Sequence, residues 1–395
     1  MRTPRDRRMT RPVVRTPAFW MLFSASLLAN ASHSVSTPII PVYVEDVLGG
    51  DSTTAGVIVA MTSLVSIVAM PLAGMLGDRY GYRPVAATGS IIGVTAVVLL
   101  ASVPTLAAAA GARALFGLGS SAAETLVMAW AVGMTPPTQR GRTLSVYGLS
   151  VWLGIALGPQ LGTRVEAAWG AVAAFWACAI IEALILMILL LMPRQATKRE
   201  RPPHAHPAEV LSAGRAVSVP GLAATAAWCG QGLLLAFSLV HLASVGVPAT
   251  GLLSAASVFT IFAVSVVLAR LVLAPSLDRI GPRRASITSL AILGSGLVIV
   301  AITPNFWVAA IGTILIGIGF APLYPALTML ATRRLAARNQ ALGLGIFAAF
   351  ANAGNGLGAV VGGAMIGFMS SMWAFLTVAV LQIAAILVIS CRSMR

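Results

Sequence analysis

A chain of 395 residues that is 58% apolar and 9% charged, with a mean hydropathy of +0.91, is not a water-soluble domain, whose apolar fraction is nearer half. Its net charge of +15 would suit a nucleic-acid binder, but the basic residues fall in alternate connections between apolar runs, and topology accounts for them. Cys178, Cys229 and Cys391 lie within apolar runs and show no metal-ligand spacing, so neither a disulfide framework nor a metal centre is expected.

Apolar runs of the length needed to cross a bilayer, roughly 20 residues each, fall at 18–43, 53–76, 84–103, 105–134, 142–164, 169–192, 217–242, 252–274, 283–302, 305–331, 341–365 and 372–391. The expected fold class is an all-α integral membrane protein with 12 transmembrane helices. Arg2, Arg5, Arg7, Arg8, Arg11 and Arg15 precede the first run, and further basic residues fall at 79–83, 140–142, 194–215, 279–284, 333–338 and 392–395. The other connections hold Glu45, Asp46, Asp51 and the pair Arg164 and Glu166. This asymmetry is the positive-inside pattern and puts both termini in the cytoplasm. The basic opening residues lead into a span too long for a signal peptide, so none is expected. Arg in large excess over Lys, with abundant Ala and Gly, is the composition of a GC-rich bacterial genome, and a bacterial inner membrane is the expected location.

The predicted organisation is a cytoplasmic tail (1–17), a six-helix bundle (18–192), a cytoplasmic linker (193–216), a second six-helix bundle (217–391) and a cytoplasmic tail (392–395). The linker, "PRQATKRERPPHAHPAEVLSAGRA", is set apart by its prolines and charges. Its His204 and His206 read as solvated loop residues rather than metal ligands.

In chain order, the first span, "SASLLANASHSVSTP", sets Ser26, Asn30, His33 and Thr37 at helical spacing as a polar stripe. "GMLGDRYGYRP" (74–84) then crowds Asp78, Arg79 and Arg83 between Gly74 and Gly81, and "APSLDRIGPRR" (274–284) nearly repeats it. The fourth span carries Arg113 and Glu124 near one face, about 16 Å apart along the axis. Ionisable groups at membrane depth are costly and mark function. Glu124 is the candidate proton carrier, loading and unloading as access alternates; the alternative is a structural carboxyl bonded to Ser, Thr or Tyr. Arg113 either tunes a neighbour's protonation or holds an anionic part of a substrate, with a structural arginine tied to backbone carbonyls and Asn30 or Thr37 as the alternative. His33, at about the depth of Arg113, is a second coupling candidate or a hydrogen-bond donor.

The fifth span repeats Gly154, Gly158 and Gly162 on one face, as the eleventh repeats Gly354, Gly358 and Gly362, with Pro159 expected to bend it; these smooth stripes read as tight helix packing and also as the surface along which the halves rock. In the sixth span Glu182 either pairs inward with a neighbour such as Arg113 or faces a polar groove. Arg270, near the cytoplasmic end of the eighth span, reads as a snorkelling side chain or a gate contact.

The halves align at an offset of 200. Asp78, Arg79, Gly81 and Arg83 match Asp278, Arg279, Gly281 and Arg283, Pro104 matches Pro304, and Gly154, Gly158 and Gly162 match Gly354, Gly358 and Gly362. An internal duplication of six spans is a transporter architecture.

With these residues in view, the chain resembles the major facilitator superfamily of secondary transporters. "GMLGDRYGYRP" is similar to its loop signature G-x-L-x-D-R-x-G-R-R, "RALFGLG" (113–119) to R-x-x-x-G-x-G, and "GIALGPQLG" (154–162) to the fifth-helix G-x-x-x-G-P-x-x-G of drug:proton antiporters. Ala274 stands where the second loop copy would have Gly, and Thr163 where the fifth-helix pattern would end in Gly. The resemblance implies two pseudo-symmetric six-helix bundles around a central cavity lined by spans 1, 4, 7 and 10. It also implies an exporter working by proton antiport, and a gate in which Asp78 caps a helix of the opposite half when the cytoplasmic side is closed, with Gly74 allowing the approach. Asp278, Arg279 and Arg283 would form the second, weaker copy.

The expected cavity walls are Asn30, Trp130, Trp228, Gln231, Ser238, Tyr324, Thr328, Phe347, Phe350, Asn352 and Asn355, a mostly apolar and aromatic set suited to an amphipathic solute. The expected function is proton-coupled export of a drug-like compound or secreted metabolite, or alternatively proton-coupled import or organic-anion exchange with Arg113 as anchor. The expected partners are a small-molecule substrate, protons and the lipid bilayer, with the chain a monomer. No G-x-x-x-x-G-K-[ST] phosphate loop and no catalytic triad occurs, so neither ATP drive nor an enzyme is expected, and the proton gradient needs no cofactor.

Overall fold

Each apolar run folds as one long helix, because in hydrocarbon every backbone N–H and C=O must be satisfied within its own segment. The computed structural model describes residues 13–136, 139–192, 207–333, 335 and 340–391, without the side chains at 140–141, 207–210, 274–279 and 340–341. The side chains of Asp278 and Arg279, the linker histidines and the 392–395 tail therefore lie outside the described residues. After a short 3-10 turn at Val13–Arg15 come α1 (Pro17–Asp46), α2 (Ser52–Tyr80), α3 (Tyr82–Ser102), α4 (Leu106–Gly133), α5 (Arg140–Trp169) and α6 (Ala171–Leu191). The second half holds α7 (Pro207–Ser244), α8 (Ala255–Ile280), α9 (Pro282–Ala301), α10 (Phe306–Thr332), α11 (Gln340–Phe368) and α12 (Ser371–Cys391). No strand occurs among the described residues.

Helix starts follow local chemistry. Thr16 caps α1 by accepting from the Phe19 N–H at 3.3 Å, with Pro17 at the first helical position. Asp51 caps α2 through Thr54 N (2.8 Å), and Asn305 caps α10 through Trp307 N (3.0 Å) and Val308 N (3.2 Å). The α2–α3 and α8–α9 corners turn on Gly81 (φ 94°) and Gly281 (φ 81°), a region that favours glycine. The 200-residue offset thus reappears as backbone geometry.

Eleven described helices are long and apolar enough to span a membrane, and α1 is not among them. Its centre carries Asn30, His33 and buried Ser26, Ser32, Ser34, Ser36 and Thr37. The start of α7 departs from expectation: the helix begins at Pro207, so residues 207–216, read as linker, are its first turns.

Packing repeats six helices on. Within the halves α1 lies against α5 as α7 lies against α11, α3 against α4 as α9 against α10, and α3 against α6 as α9 against α12. Between the halves α2 meets α11 and α5 meets α8. The glycine stripes sit on the intra-bundle seams. A Cβ on Gly158 would lie 2.7 Å from Ala31 O and from Ser34 Cβ of α1, and Gly154 and Gly162 also abut α1. Gly354, Gly358 and Gly362 abut α7 in the same way. These stripes therefore pack helices inside one half and are not the surface along which the halves slide. The halves meet instead through Gly56 against Ala359 and Gly363, and through Gln160, whose Nε2 donates to Ser257 Oγ (3.3 Å) and Thr260 Oγ1 (3.4 Å). These contacts lie towards the end opposite the termini. The other end, which holds the short basic connections, is called the basic end below.

Candidate substrate cavity

A cavity of about 560 Å³ lies between the halves. Its lining runs from Thr37, Val59 and Arg113 at mid-depth to Leu144 and Gly148 in the first turns of α5, so it extends towards the basic end.

α1 and α4 run antiparallel, and their polar residues meet in register. Asn30 Nδ2 donates to Glu124 Oε1 at 2.9 Å and to Ser26 O at 2.9 Å. Nearer the closed end, Arg113 donates to Ser36 Oγ (3.2 Å) and Thr37 Oγ1 (3.4 Å), with its Nε unpartnered. Thr62 Oγ1 donates to Arg113 O at 2.9 Å, tying α2 to the same point. The guanidinium lies 5.4 Å from the Phe116 ring centroid, and Phe116 stacks on His33 at 6.2 Å. Of the two partners weighed for a structurally held Arg113, Thr37 binds it and Asn30 goes to Glu124. Arg113 is 2% exposed yet lines the cavity. Among the described lining residues Glu124 is the one carboxylate, against two guanidinium groups in the same lining, Arg113 and Arg270.

Asn30, Trp228, Gln231, Tyr324, Asn352 and Asn355 line this cavity. Trp130 and Phe347 do not. Trp130 is 1% exposed and packed in the core, because its face of α4 turns away from the opening. Phe347 stands one layer behind the wall, 6.4 Å from the Trp228 ring and 5.8 Å from that of Tyr324. Ser238, Thr328 and Phe350 also stand outside the lining.

Arg270, Trp152, Tyr147 and Phe320 are among the lining residues that sequence reasoning did not place there. Arg270 had been read from its depth as a snorkelling side chain or a gate contact, although a charge on an inter-bundle helix was the available signal. Trp152 stands just before the glycine stripe of α5 and was obscured by it. Tyr147 and Phe320 gave no signal beyond hydrophobicity.

Glu182, 1% exposed, accepts from Ser120 Oγ at 3.3 Å and abuts Gly93 of α3. It lies behind the cavity wall at Ser120, and Arg113 makes its hydrogen bonds elsewhere.

At the basic end Asp78 accepts from Tyr82 Oη at 3.4 Å and Arg79 lies 5.1 Å from the Tyr80 ring. Gly74 faces open space, so no helix closes on it in this state. Arg83 donates to Leu190 O at the end of α6, and Arg283 donates to Ser390 O at the end of α12 at 2.9 Å. Both arginines tie their loop to the last helix of their own half, where unpaired carbonyls attract a cation. These contacts are internal to each half; the gate expected of the two loop motifs belongs to the state in which the basic end is closed.

The sequence profile of the Major Facilitator Superfamily matches residues 22–258 and again 222–392. The chain belongs to this superfamily. The transporter is 28% identical over 360 residues to the uncharacterized MFS-type transporter YhhS of Escherichia coli K12, covering 89% of this chain and 85% of that one. The YhhS of Salmonella typhimurium is 25% identical over 325 residues, covering 79% and 76%. Among solved structures, the nucleoside transporter NupG superposes with a TM-score of 0.79 at 15% identity, covering 95% of this chain and 98% of its own. The human organic anion transporter MFSD10 gives 0.70 at 17% identity, covering 95% and 100%. At these identities the likeness is one of fold.

Proposed function

We propose that this transporter is a proton-coupled exporter of an amphipathic small molecule, drug-like or a secreted metabolite, acting as a monomer in a bacterial inner membrane by alternating access. The observation that carries the reading is Glu124, the one carboxylate among the described lining residues, held at 2.9 Å by Asn30. A carboxyl at membrane depth beside an amide and an aqueous cavity exchanges a proton as access alternates. The basic end is taken as cytoplasmic by charge asymmetry, so the cavity described is open to the cytoplasm. Substrate enters there, and substrate and proton occupy the cavity in alternate half-cycles, with the proton gradient as the drive and no cofactor. The likeness of "GIALGPQLG" to the antiporter signature supports export.

Glu124→Gln tests this in proteoliposomes. It keeps an amide–carbonyl hydrogen bond to Asn30 but removes the exchangeable proton, so pH-gradient-driven efflux should vanish; unchanged flux would refute the reading. A second reading, import or organic-anion exchange, is favoured by the excess of guanidinium groups over carboxylates in the cavity. Reversing the pH gradient and noting the side on which substrate accumulates separates the two.

A further inference from the structure

Arg270 is a charged lining residue that the mechanism above does not use. It projects from α8 into the cavity with its guanidinium carbon 5.2 Å from the Trp152 ring centroid. A guanidinium lying over an aromatic face keeps its N–H donors in its own plane, free to take a planar anion edge-on. Its Nε is buried and has no hydrogen-bond partner. Arg113 is less available, since its two terminal nitrogens already donate to Ser36 and Thr37.

Next to this cation stands an aromatic wall. Trp228 lies 4.8 Å from Phe320 and 5.9 Å from Tyr324 between ring centroids, and Trp152 lies 6.2 Å from Phe320. All four rings line the cavity. They offer flat faces and edges to a planar ring, which aromatic pairs favour beyond the area they bury. The charge count opposes a cationic guest, because two guanidinium groups face one carboxylate already hydrogen-bonded to Asn30. One available guanidinium fork suits one acid group.

We propose that Arg270 anchors the acid group of an aromatic organic monoanion whose ring lies against Trp228, Phe320 and Tyr324. This rests on the reading that the cavity is the transport path, and on neither direction of transport.

Calorimetry on the purified full chain in detergent tests it with 2-naphthoate, its neutral amide 2-naphthamide, the cation 2-naphthylmethylamine, and cyclohexanecarboxylate, which keeps the acid and lacks the ring. Naphthoate should bind roughly tenfold or more tighter than the amide and than cyclohexanecarboxylate, with no binding of the amine. Arg270→Gln should bring naphthoate down to the affinity of the amide, and Arg270→Lys should fall between, since a point charge replaces the fork. If Arg270→Gln unfolds, Arg270→Lys decides alone, with a loss of roughly threefold or more expected. Amide or amine binding as tight as the acid, naphthoate affinity unchanged in the folded variants, or no binding of any probe would each overturn the proposal. Naphthoate binding without flux in liposomes would sink the transport-path reading and leave the Arg270 site standing. Glu124-dependent flux of the neutral amide would do the reverse.

Discussion

Gly56→Ala and Gly158→Ala form a matched pair that separates a seam between the halves from one within a half. A Cβ on Gly56 would meet the backbone of α11 at Ala359 O and, at 3.0 Å, Gly363 Cα. A Cβ on Gly158 would meet the backbone of α1 at Ala31 O, 2.7 Å away. Neither obstacle is the tip of a flexible side chain, so each pair of helices must separate, at a cost of about 1–3 kcal/mol. At position 56 that cost falls only on the state in which the end opposite the termini is closed. The equilibrium should therefore move towards opening that end by roughly 5- to 150-fold. At position 158 the cost falls on both states alike and should appear as lost thermal stability. Spin labels at exposed Val47 and Leu252, one in each half at that end, read the equilibrium once the exposed Cys391 is replaced. A longer distance in Gly56→Ala with none in Gly158→Ala is expected. The reverse pattern would show that the α5 glycines do form the sliding surface and that the packing argument is wrong.

His241 ties three helices together, since Nε2 donates to Val300 O (2.8 Å) and Nδ1 accepts from Ser371 Oγ (2.8 Å). His241→Leu removes the acceptor of Ser371 Oγ and one of the donors to Val300 O, which still accepts from Thr303 N (3.3 Å), and should cost about 1–2 kcal/mol in thermal or denaturant unfolding, with substrate affinity unchanged. Arg83→Gln and Arg283→Gln should each cost less than about 1 kcal/mol, because the contacts are exposed, and should leave the Val47–Leu252 distance alone. A shift as large as that of Gly56→Ala would show that these arginines act in the gate. Glu182→Gln preserves an acceptor for Ser120 and should retain pH-gradient-driven flux; loss of flux would bring Glu182 into the proton path.

Hydropathy located the helices well because each must satisfy its own backbone in lipid, a constraint that acts residue by residue along the chain. The duplication was legible for a related reason, and Gly81 with Gly281 and Arg83 with Arg283 show it in the backbone and in the same contact. Partner choice was the part that periodicity could not supply. Gly154, Gly158 and Gly162 declare a smooth face without saying which helix lies on it, and that helix proved to be α1. Trp130 failed as a cavity residue because belonging to a cavity-lining helix does not fix which face a side chain takes. Arg270 was missed because depth was judged from a span boundary, where an error of one turn moves a side chain between lipid headgroups and the cavity.

The polarity of α1 also bears on how the protein is made. A segment with Asn30 and His33 at its centre partitions poorly into hydrocarbon by itself, since insertion is governed by the summed transfer cost of its side chains. The carboxylate that takes up Asn30 lies 94 residues downstream, which at ribosomal speeds is a delay of roughly 5 to 20 s. During that interval α1 is the least committed of the helices, and it becomes fully lodged only when α4 and α5 arrive to cover its polar and small-residue faces. Biogenesis of this half should therefore be cooperative, and nascent chains truncated before α4 should be the ones cleared by membrane quality control.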